Sequence, residues 1–171
     1  STFRDQSSMD GHVKPVVVNC CNFAKTEPCL LGMDEVRTLF HEFGHGLHGL
    51  LSNVRYESLS GTSVKQDFVE LPSQIMEHWA VEPEVLKAYA IHIDSGESIP
   101  DELIQRLTAA ATFNLGFETT EYLAACYLDL EWHGADAETV EDVSVFEERA
   151  MRVIGKISMI DPRYKSTYFQ H

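Results

Sequence analysis

The 171-residue sequence contains no apolar run that approaches the ~20 residues a helix needs to span a bilayer. It is also poor in basic residues, because 13 Lys and Arg stand against 27 Asp and Glu, giving a formal net charge of −14. Nucleic-acid binding depends mainly on clustered Lys and Arg, and the sequence has no basic stripe. We therefore expect neither a membrane-spanning segment nor a nucleic-acid partner.

Cysteine is scarce as well. The four cysteines include an adjacent pair, Cys20 and Cys21, and none has the CxxC spacing of a zinc site. Reduced thiols without a metal role are the simplest interpretation. The N-terminal segment STFRDQSSMDGHVK lacks an initiator Met and the apolar core of a signal peptide. We expect residues 1–171 to be a fragment of a longer protein, whose other parts would carry any targeting signal.

What the sequence does contain is mostly helical periodicity, in a composition that is 44% hydrophobic and 23% charged, as in globular proteins. The short β-branched run at 15–19 predicts a strand. Helices are predicted at 34–52, 66–80, 83–92, 101–132 with an interruption near Gly116, and 144–154. The expected fold is mainly α with one or two short strands.

The segment His41-Glu42-Phe43-Gly44-His45 matches the HExxH pattern. At about 100° per residue, His41 and His45 project from one face of the predicted helix. Zinc accepts imidazole nitrogen readily, and a catalytic site takes three protein ligands and a water. Glu42 can serve as general base toward that water, which indicates amide hydrolysis with one zinc ion per chain.

Two further features of this helix carry expectations. Its large apolar residues lie opposite the histidines and are expected to pack on the core: Val36, Phe40, Phe43, Leu47 and Leu50. Glycine costs a helix up to ~1 kcal/mol relative to alanine. The three glycines of the same helix, Gly44, Gly46 and Gly49, therefore indicate a close neighbour near the metal.

The third ligand is sought among downstream carboxylates, and Glu70 is our prediction. Glu70 and Glu77 fall on one face of the helix predicted at 66–80, and Glu77 is at the right spacing to orient a ligand. Pro72 requires that this helix either begin nearby or be kinked. His48 is a competing ligand that we rank below Glu70, because a third imidazole from the same helix would be cramped.

Long stretches of the sequence closely resemble the family of zinc metallopeptidases that includes thimet oligopeptidase, oligopeptidase A and the peptidyl-dipeptidases, the bacterial peptidyl-dipeptidases most of all. The stretches that carry this resemblance are VVVNCCNF, DEVRTLFHEFGHGLHGLLSNVRYESLSGTSVKQDFVELPSQIMEHW, IHIDSGESIPDELI and STYFQH. The resemblance implies a zincin-like metallopeptidase core. It places the zinc ligands at His41, His45 and Glu70, and the catalytic glutamate at Glu42.

The resemblance also implies roles that the residues alone would not indicate. A substrate strand including Val17, Val18 and Asn19 would line the cleft and pair with the peptide backbone, and the SLSGTS loop would bring Gly61 near the site. His171 would stabilise the tetrahedral intermediate.

The chain also departs from the family pattern. A Gly- and Tyr-rich loop and most of a large helical lobe of the family are missing from this sequence. We therefore expect the rest of the polypeptide to complete the cleft, and little activity from residues 1–171 alone. Separately, the resemblance to bacterial peptidyl-dipeptidases leads us to expect a location in the bacterial cytoplasm.

The expected activity is hydrolysis of short peptides with release of C-terminal dipeptides. Such an enzyme needs a cation for the substrate carboxylate, and four candidates remain open: Arg55, Lys65, Arg163 and Lys165. Without that cation the activity would be endopeptidase cleavage of oligopeptides. An aminopeptidase would need extra carboxylates beside Glu42 to bind the free amino terminus of its substrate, and no adjacent motif supplies them. A non-catalytic helical module stabilised by zinc is a further alternative.

Overall fold

The computed structural model describes residues 2–9, 11–136, 142–153 and 165–168. Two short strands, β1 (Thr2–Arg4) and β2 (Val16–Val17), accompany seven α-helices in these ranges. The helices are α1 (Met33–Leu50), α2 (Gln66–Val69), α3 (Leu71–Trp79), α4 (Pro83–Tyr89), α5 (Asp101–Ala110), α6 (Leu115–Gly134) and α7 (Val143–Val153). The predicted mainly α fold is confirmed. None of the described helices is both long and apolar enough to cross a membrane.

The chain forms two compact units, residues 1–105 and 106–171. The first unit carries both strands and helices α1 to α4, and the second carries α6 and α7. In the first unit, β1 and β2 pair in an antiparallel two-stranded sheet. The predicted strand at 15–19 is thus shorter than expected, and its partner comes from the N-terminal segment.

Helix α1 begins one residue earlier than the predicted start at residue 34. The expected N-cap, Asp34, lies inside the first turn together with Glu35, where negative charge is favourable to the helix dipole. Gly32 is the N-cap instead, and its backbone N–H donates to Glu35 Oε2 at 2.7 Å. This bond satisfies a backbone donor at the helix start.

Helix α1 packs closely against α3 and β2 through its glycines. A Cβ atom on Gly44 would lie 2.6 Å from Ser73 Cα, and one on Gly49 would lie 3.0 Å from a methyl group of Val17. The close neighbour that the glycines predicted is therefore confirmed at these two positions. At Gly46 an added Cβ would make only an ordinary contact with Val17, at 3.6 Å.

The prediction that large apolar residues form the buried face of α1 is wrong in part. Phe43 and Leu50 are each 46% exposed, whereas the buried residues of the helix are Gly44, Gly46 and Gly49. The reason is that α3 and β2 approach α1 at its glycines, where a missing side chain permits close contact.

The segment predicted as one helix at 66–80 is two helices that meet at Glu70. Pro72 has no backbone N–H and fits best in the first turn of a helix, so a new helix begins at Leu71. The sequence allowed either a helix start or a kink near Pro72, and the structure has the helix start. Glu70 is therefore the N-cap of α3.

The long stretch predicted at 101–132 is also divided, just before α6, so the predicted interruption near Gly116 is confirmed to within two residues. Asn114 has a left-handed backbone (φ +57°) and precedes α6, while Gly116 lies inside that helix. Leu128 of α6 and Phe146 of α7 are buried between the two helices. The Trp132 ring stacks on the Phe146 ring, with the ring centroids 4.0 Å apart. The predicted helix at 144–154 agrees with α7 within one residue at each end.

Candidate metal centre

Two helices of the first unit bring together three side chains suited to a metal ion. His41 and His45 lie one turn apart on α1, and Glu70 lies at the junction of α2 and α3. Glu70 Oε2 is 3.2 Å from His41 Nε2 and 3.1 Å from His45 Nε2. Within the described ranges this is the only group of at least three His, Cys, Asp or Glu side chains with donor atoms so close, all within 4.8 Å.

A second carboxylate fixes the orientation of the His41 ring. Glu77, two turns further along α3, has its Oε1 2.7 Å from His41 Nδ1. An ionised carboxylate can only accept a hydrogen bond, so Nδ1 is the donor in this contact. A neutral His41 then presents the lone pair of Nε2 toward Glu70, in the arrangement by which carboxylates commonly orient metal-binding histidines.

The donor atoms fit a small divalent cation. In the neutral form of His41 that can bind a metal, Nδ1–H is engaged by Glu77, so the lone pair of Nε2 would face an oxygen of Glu70 3.2 Å away, and a cation between these two acceptors would stabilise the pair. Ligand distances of about 2.0–2.1 Å in a tetrahedral site place neighbouring ligand atoms roughly 3.3 Å apart. The observed separations of 3.1 and 3.2 Å match that spacing.

The protein holds Glu70 in its charged form. A hydrogen bond from the Ser73 hydroxyl, followed by the nearby His45 and His41, holds the pKa of Glu70 below its ordinary value, and partial desolvation opposes the shift. Glu70 is also the N-cap of α3, where the helix dipole favours a negative charge. A metal ligand must be deprotonated, so these contacts favour cation binding.

His45 is held differently from His41. Its ring lies edge-on to that of His41, with ring centroids 4.9 Å apart, and its side chain is 18% exposed. Nδ1 of His45 is buried and has no hydrogen-bond partner among the described residues. The orientation of this imidazole therefore depends on packing and on its Nε2 contact with Glu70.

Glu42 and His48 are the other polar candidates on α1. Glu42 is half-buried and its carboxylate makes no hydrogen bond or ion pair within the described part of the chain, so it is available to a substrate or a water. His48 is not part of the three-residue group. Its ring instead meets Phe68 edge-on at 6.1 Å.

The residues expected near the substrate lie beside the C-terminal half of α1. Val17 contacts Gly46 and Gly49, whereas Val18 and Asn19 are exposed just after β2. Gly61 is buried with φ +53°. A Cβ on Gly61 would lie 3.1 Å from Gly49 Cα, and its N–H donates to Ser52 Oγ at 2.7 Å. Their contact with substrate remains a prediction, and His171 and Arg163 lie outside the described residues.

Sequence reasoning missed one residue of the site, Ser73. Its side chain is completely buried and its hydroxyl lies 2.7 Å from Glu70 Oε2. The available signal was a serine in the first turn of a helix, three residues after the proposed ligand. Serine at such a position commonly bonds back to the preceding turn.

Two helix-borne histidines, a carboxylate from a neighbouring helix and an unengaged glutamate inside the HExxH segment define the metallopeptidase class. The chain belongs to peptidase family M3, whose family model matches residues 1–171. The resemblance inferred from the sequence is thereby confirmed.

Individual relatives agree with this membership. The chain is 48% identical to the dipeptidyl carboxypeptidase of Escherichia coli K12 and 46% identical to that of Salmonella typhimurium, over 99% of this chain and 25% of each relative. It is 42% identical to oligopeptidase A of E. coli over 70% of this chain and 18% of that relative. The chain thus spans a quarter or less of the length of these curated relatives.

Proposed function

We propose that this chain carries the zinc site of a peptidase that hydrolyses short peptides and releases C-terminal dipeptides. The observation that carries the proposal is the convergence of His41 Nε2, His45 Nε2 and Glu70 Oε2 beside an unengaged Glu42. The relatives named dipeptidyl carboxypeptidase support the exopeptidase form of the activity.

Zinc is the proposed ion because two imidazoles and one carboxylate form a common ligand set of catalytic zinc sites. When bound, zinc lowers the pKa of water and polarises the substrate carbonyl. His41, His45 and Glu70 would hold the ion. Glu77 would keep the proton of His41 on Nδ1, so that Nε2 stays available as a ligand.

Glu42 is the proposed general base. A half-buried carboxylate without a partner among the described residues is free to accept the proton of the attacking water. The same carboxyl group can then deliver that proton to the leaving amine. One side chain thus completes both proton transfers of amide hydrolysis, and no other group within the HExxH segment is free to do so.

Release of a dipeptide also requires a cation for the free carboxylate of the substrate. Of the residues considered, Arg55 lies over the Tyr56 ring at 5.6 Å and Lys65 is the N-cap of α2, both in the first unit. Lys165 belongs to the second unit. Since the relatives are about four times as long as this chain, further parts of the polypeptide are proposed to complete the cleft and to supply this contact.

Endopeptidase cleavage of oligopeptides is the second candidate, and the similarity to oligopeptidase A favours it. The two activities differ in their need for a free carboxylate at the substrate C-terminus. A pair of short peptides that are identical except for a free or an amidated C-terminus separates them. Dipeptide release from the free form alone supports the first candidate, and equal cleavage of both forms supports the second.

The catalytic role of Glu42 is tested by Glu42→Gln in the intact protein. We expect hydrolysis to fall by at least about 100-fold while zinc content stays unchanged, because the variant loses the base and keeps every ligand. Glu84→Gln, at an exposed position of α4, is the matched control and should retain full activity. Full activity of Glu42→Gln, or zinc-loaded wild-type protein without hydrolysis, would refute the proposal and favour a structural zinc module.

A further inference from the structure

Ser73 makes a contact with the candidate site that the proposed mechanism does not use. Its hydroxyl lies 2.7 Å from Glu70 Oε2 and 2.8 Å from the backbone oxygen of Glu70. A hydroxyl has one proton to donate, and a charged carboxylate is a stronger acceptor than a neutral carbonyl. The Ser73 hydroxyl therefore donates mainly to the same oxygen that faces both imidazoles.

Glu70 needs such a contact because its side chain is 49% exposed. A glutamate at a half-exposed position can adopt several rotamers, and only some of them bring Oε2 to His41 and His45. Burial does not select the rotamer at this position. In the described part of the chain, the polar side-chain atoms near Oε2 are the Ser73 hydroxyl and Nε2 of the two imidazoles, and with the imidazoles in their metal-binding form only the hydroxyl is a donor.

Ser73 is well placed to hold Glu70 because it is itself fixed relative to α1. Its side chain has no exposed surface, and its Cα lies where a Cβ on Gly44 would be only 2.6 Å away. Gly44 sits between His41 and His45 on the same helix. The hydroxyl is thus carried on backbone that packs directly against the segment bearing both imidazoles.

We propose that Ser73 is a positioning residue for the metal ligand Glu70, whose hydroxyl fixes the carboxylate oxygen Oε2 at the point where it meets both imidazoles. This inference rests on the ligand set of the proposed function. In this arrangement Ser73 would act on a bound ion only through Glu70, because its hydroxyl proton is donated to Oε2. Partners of this kind commonly change metal affinity about 10- to 100-fold when they are removed.

The test measures the zinc dissociation constant of the intact protein by competition with a chromophoric chelator. Ser73→Ala should weaken zinc binding by about 10-fold or more. Ser60→Ala is the matched control, since Ser60 is equally buried (1% exposed) and its hydroxyl accepts a hydrogen bond from the backbone N–H of Gln6, which is not one of the proposed ligands. The control should bind zinc as the wild type does.

A double-mutant cycle with Glu70→Ala separates positioning from a general structural role. If Ser73 acts through Glu70, adding Ser73→Ala to Glu70→Ala should not weaken zinc binding further. An equal loss with and without Glu70 would overturn the inference, as would wild-type zinc affinity in Ser73→Ala. A general loss of stability from Ser73→Ala would weaken zinc binding in both backgrounds, with and without Glu70. It therefore cannot produce the expected result, in which the loss is seen only when Glu70 is present.

The cycle also distinguishes this inference from the function beneath it. If Glu70→Ala weakens zinc binding and Ser73→Ala does not, only the role of Ser73 is refuted. If Glu70→Ala leaves zinc affinity unchanged, the ligand set of the proposed function is refuted, and the role of Ser73 falls with it.

Discussion

His41 is the residue on which the contacts of the site concentrate, since each of its ring nitrogens faces a carboxylate. Glu77 Oε1 lies 2.7 Å from Nδ1, and Glu70 Oε2 lies 3.2 Å from Nε2. The two carboxylates come from opposite ends of one helix, α3. Helix α3 therefore carries the proposed ligand Glu70 at its N-cap and, near its other end, Glu77, the group that orients His41.

The role of Glu77 predicts a change in metal affinity without loss of a ligand. Glu77→Ala should weaken zinc binding by about 10-fold or more, since His41 loses the acceptor that fixes its tautomer and ring orientation. Glu84→Ala, on the next helix, should leave zinc affinity unchanged. A chelator-competition titration measures both variants, and wild-type affinity in Glu77→Ala would refute the orienting role.

The lowered pKa of Glu70 predicts a pH dependence of stability in the metal-free protein. A carboxyl group whose folded-state pKa is depressed stabilises the fold above its ordinary value of 4.5, and this contribution is lost as the pH falls through the lowered folded-state value. Urea unfolding of the wild type and Glu70→Gln should therefore give a stability difference that shrinks below pH 4.5. A difference that stays constant down to acid pH would show that the charge of Glu70 contributes nothing.

Among the elements, the contact between α1 and α3 determines whether the three ligand side chains can meet. Gly44 permits this contact, because the backbone of Ser73 and Pro72 occupies the space of its missing side chain. The sequence predicted the histidine face of α1 from local periodicity alone. It also predicted close packing at the glycines, but nothing in a linear pattern identifies which element packs there.

The glycines of α1 give a matched pair of substitutions. Gly44→Ala would place Cβ 2.6 Å from Ser73 Cα and 2.7 Å from Pro72 O, so α3 has to move and carry Glu70 away. We expect a net loss of about 1–3 kcal/mol in the free energy of unfolding and weaker zinc binding. Thermal unfolding and chelator competition measure the two effects.

Gly46→Ala is the control for that substitution, because it is buried in the same helix and its Cβ would meet Val17 at an ordinary 3.6 Å. Alanine is favoured over glycine in a helix by up to about 1 kcal/mol. Gly46→Ala should therefore be neutral or stabilising and keep its zinc. Equal effects of the two substitutions would contradict the proposed role of close packing at Gly44.

The sequence and the structure differ most where tertiary contacts override local pattern. The HExxH face is a local property of one helix, and periodicity alone placed His41 and His45 on it. Spacing left Glu70 in competition with His48 and gave Glu77 only as a candidate for orienting a ligand. The interruption before α6 was predicted to within two residues, whereas the exposure of Phe43 was not predictable, because it depends on how neighbouring elements pack. Ser73 was not predicted, because serine is common in the first turn of a helix. Only its contact with Glu70 in the folded chain indicates a role.

For the whole molecule, the second unit has a core of its own. Leu128 is completely buried there among Ala124, Phe146 and Ala150. Leu128→Ala should lower the free energy of unfolding by about 2–5 kcal/mol, because it removes buried apolar contacts and leaves a cavity. Chemical denaturation measures the change. Leu130→Ala, at a position of the same helix that is 66% exposed, should have little effect, and a similar loss in both would contradict the assigned core.

The central claim, that this chain forms the zinc site of a family M3 peptidase, is tested most directly by the metal content of the intact protein. Elemental analysis should find about one zinc per chain in the wild type and in His78→Ala, whose histidine lies on α3 outside the ligand group. His45→Ala and Glu70→Ala should each lose most of that zinc. Zinc retained in both variants, or absent from the wild type after supplementation, would contradict the assigned site.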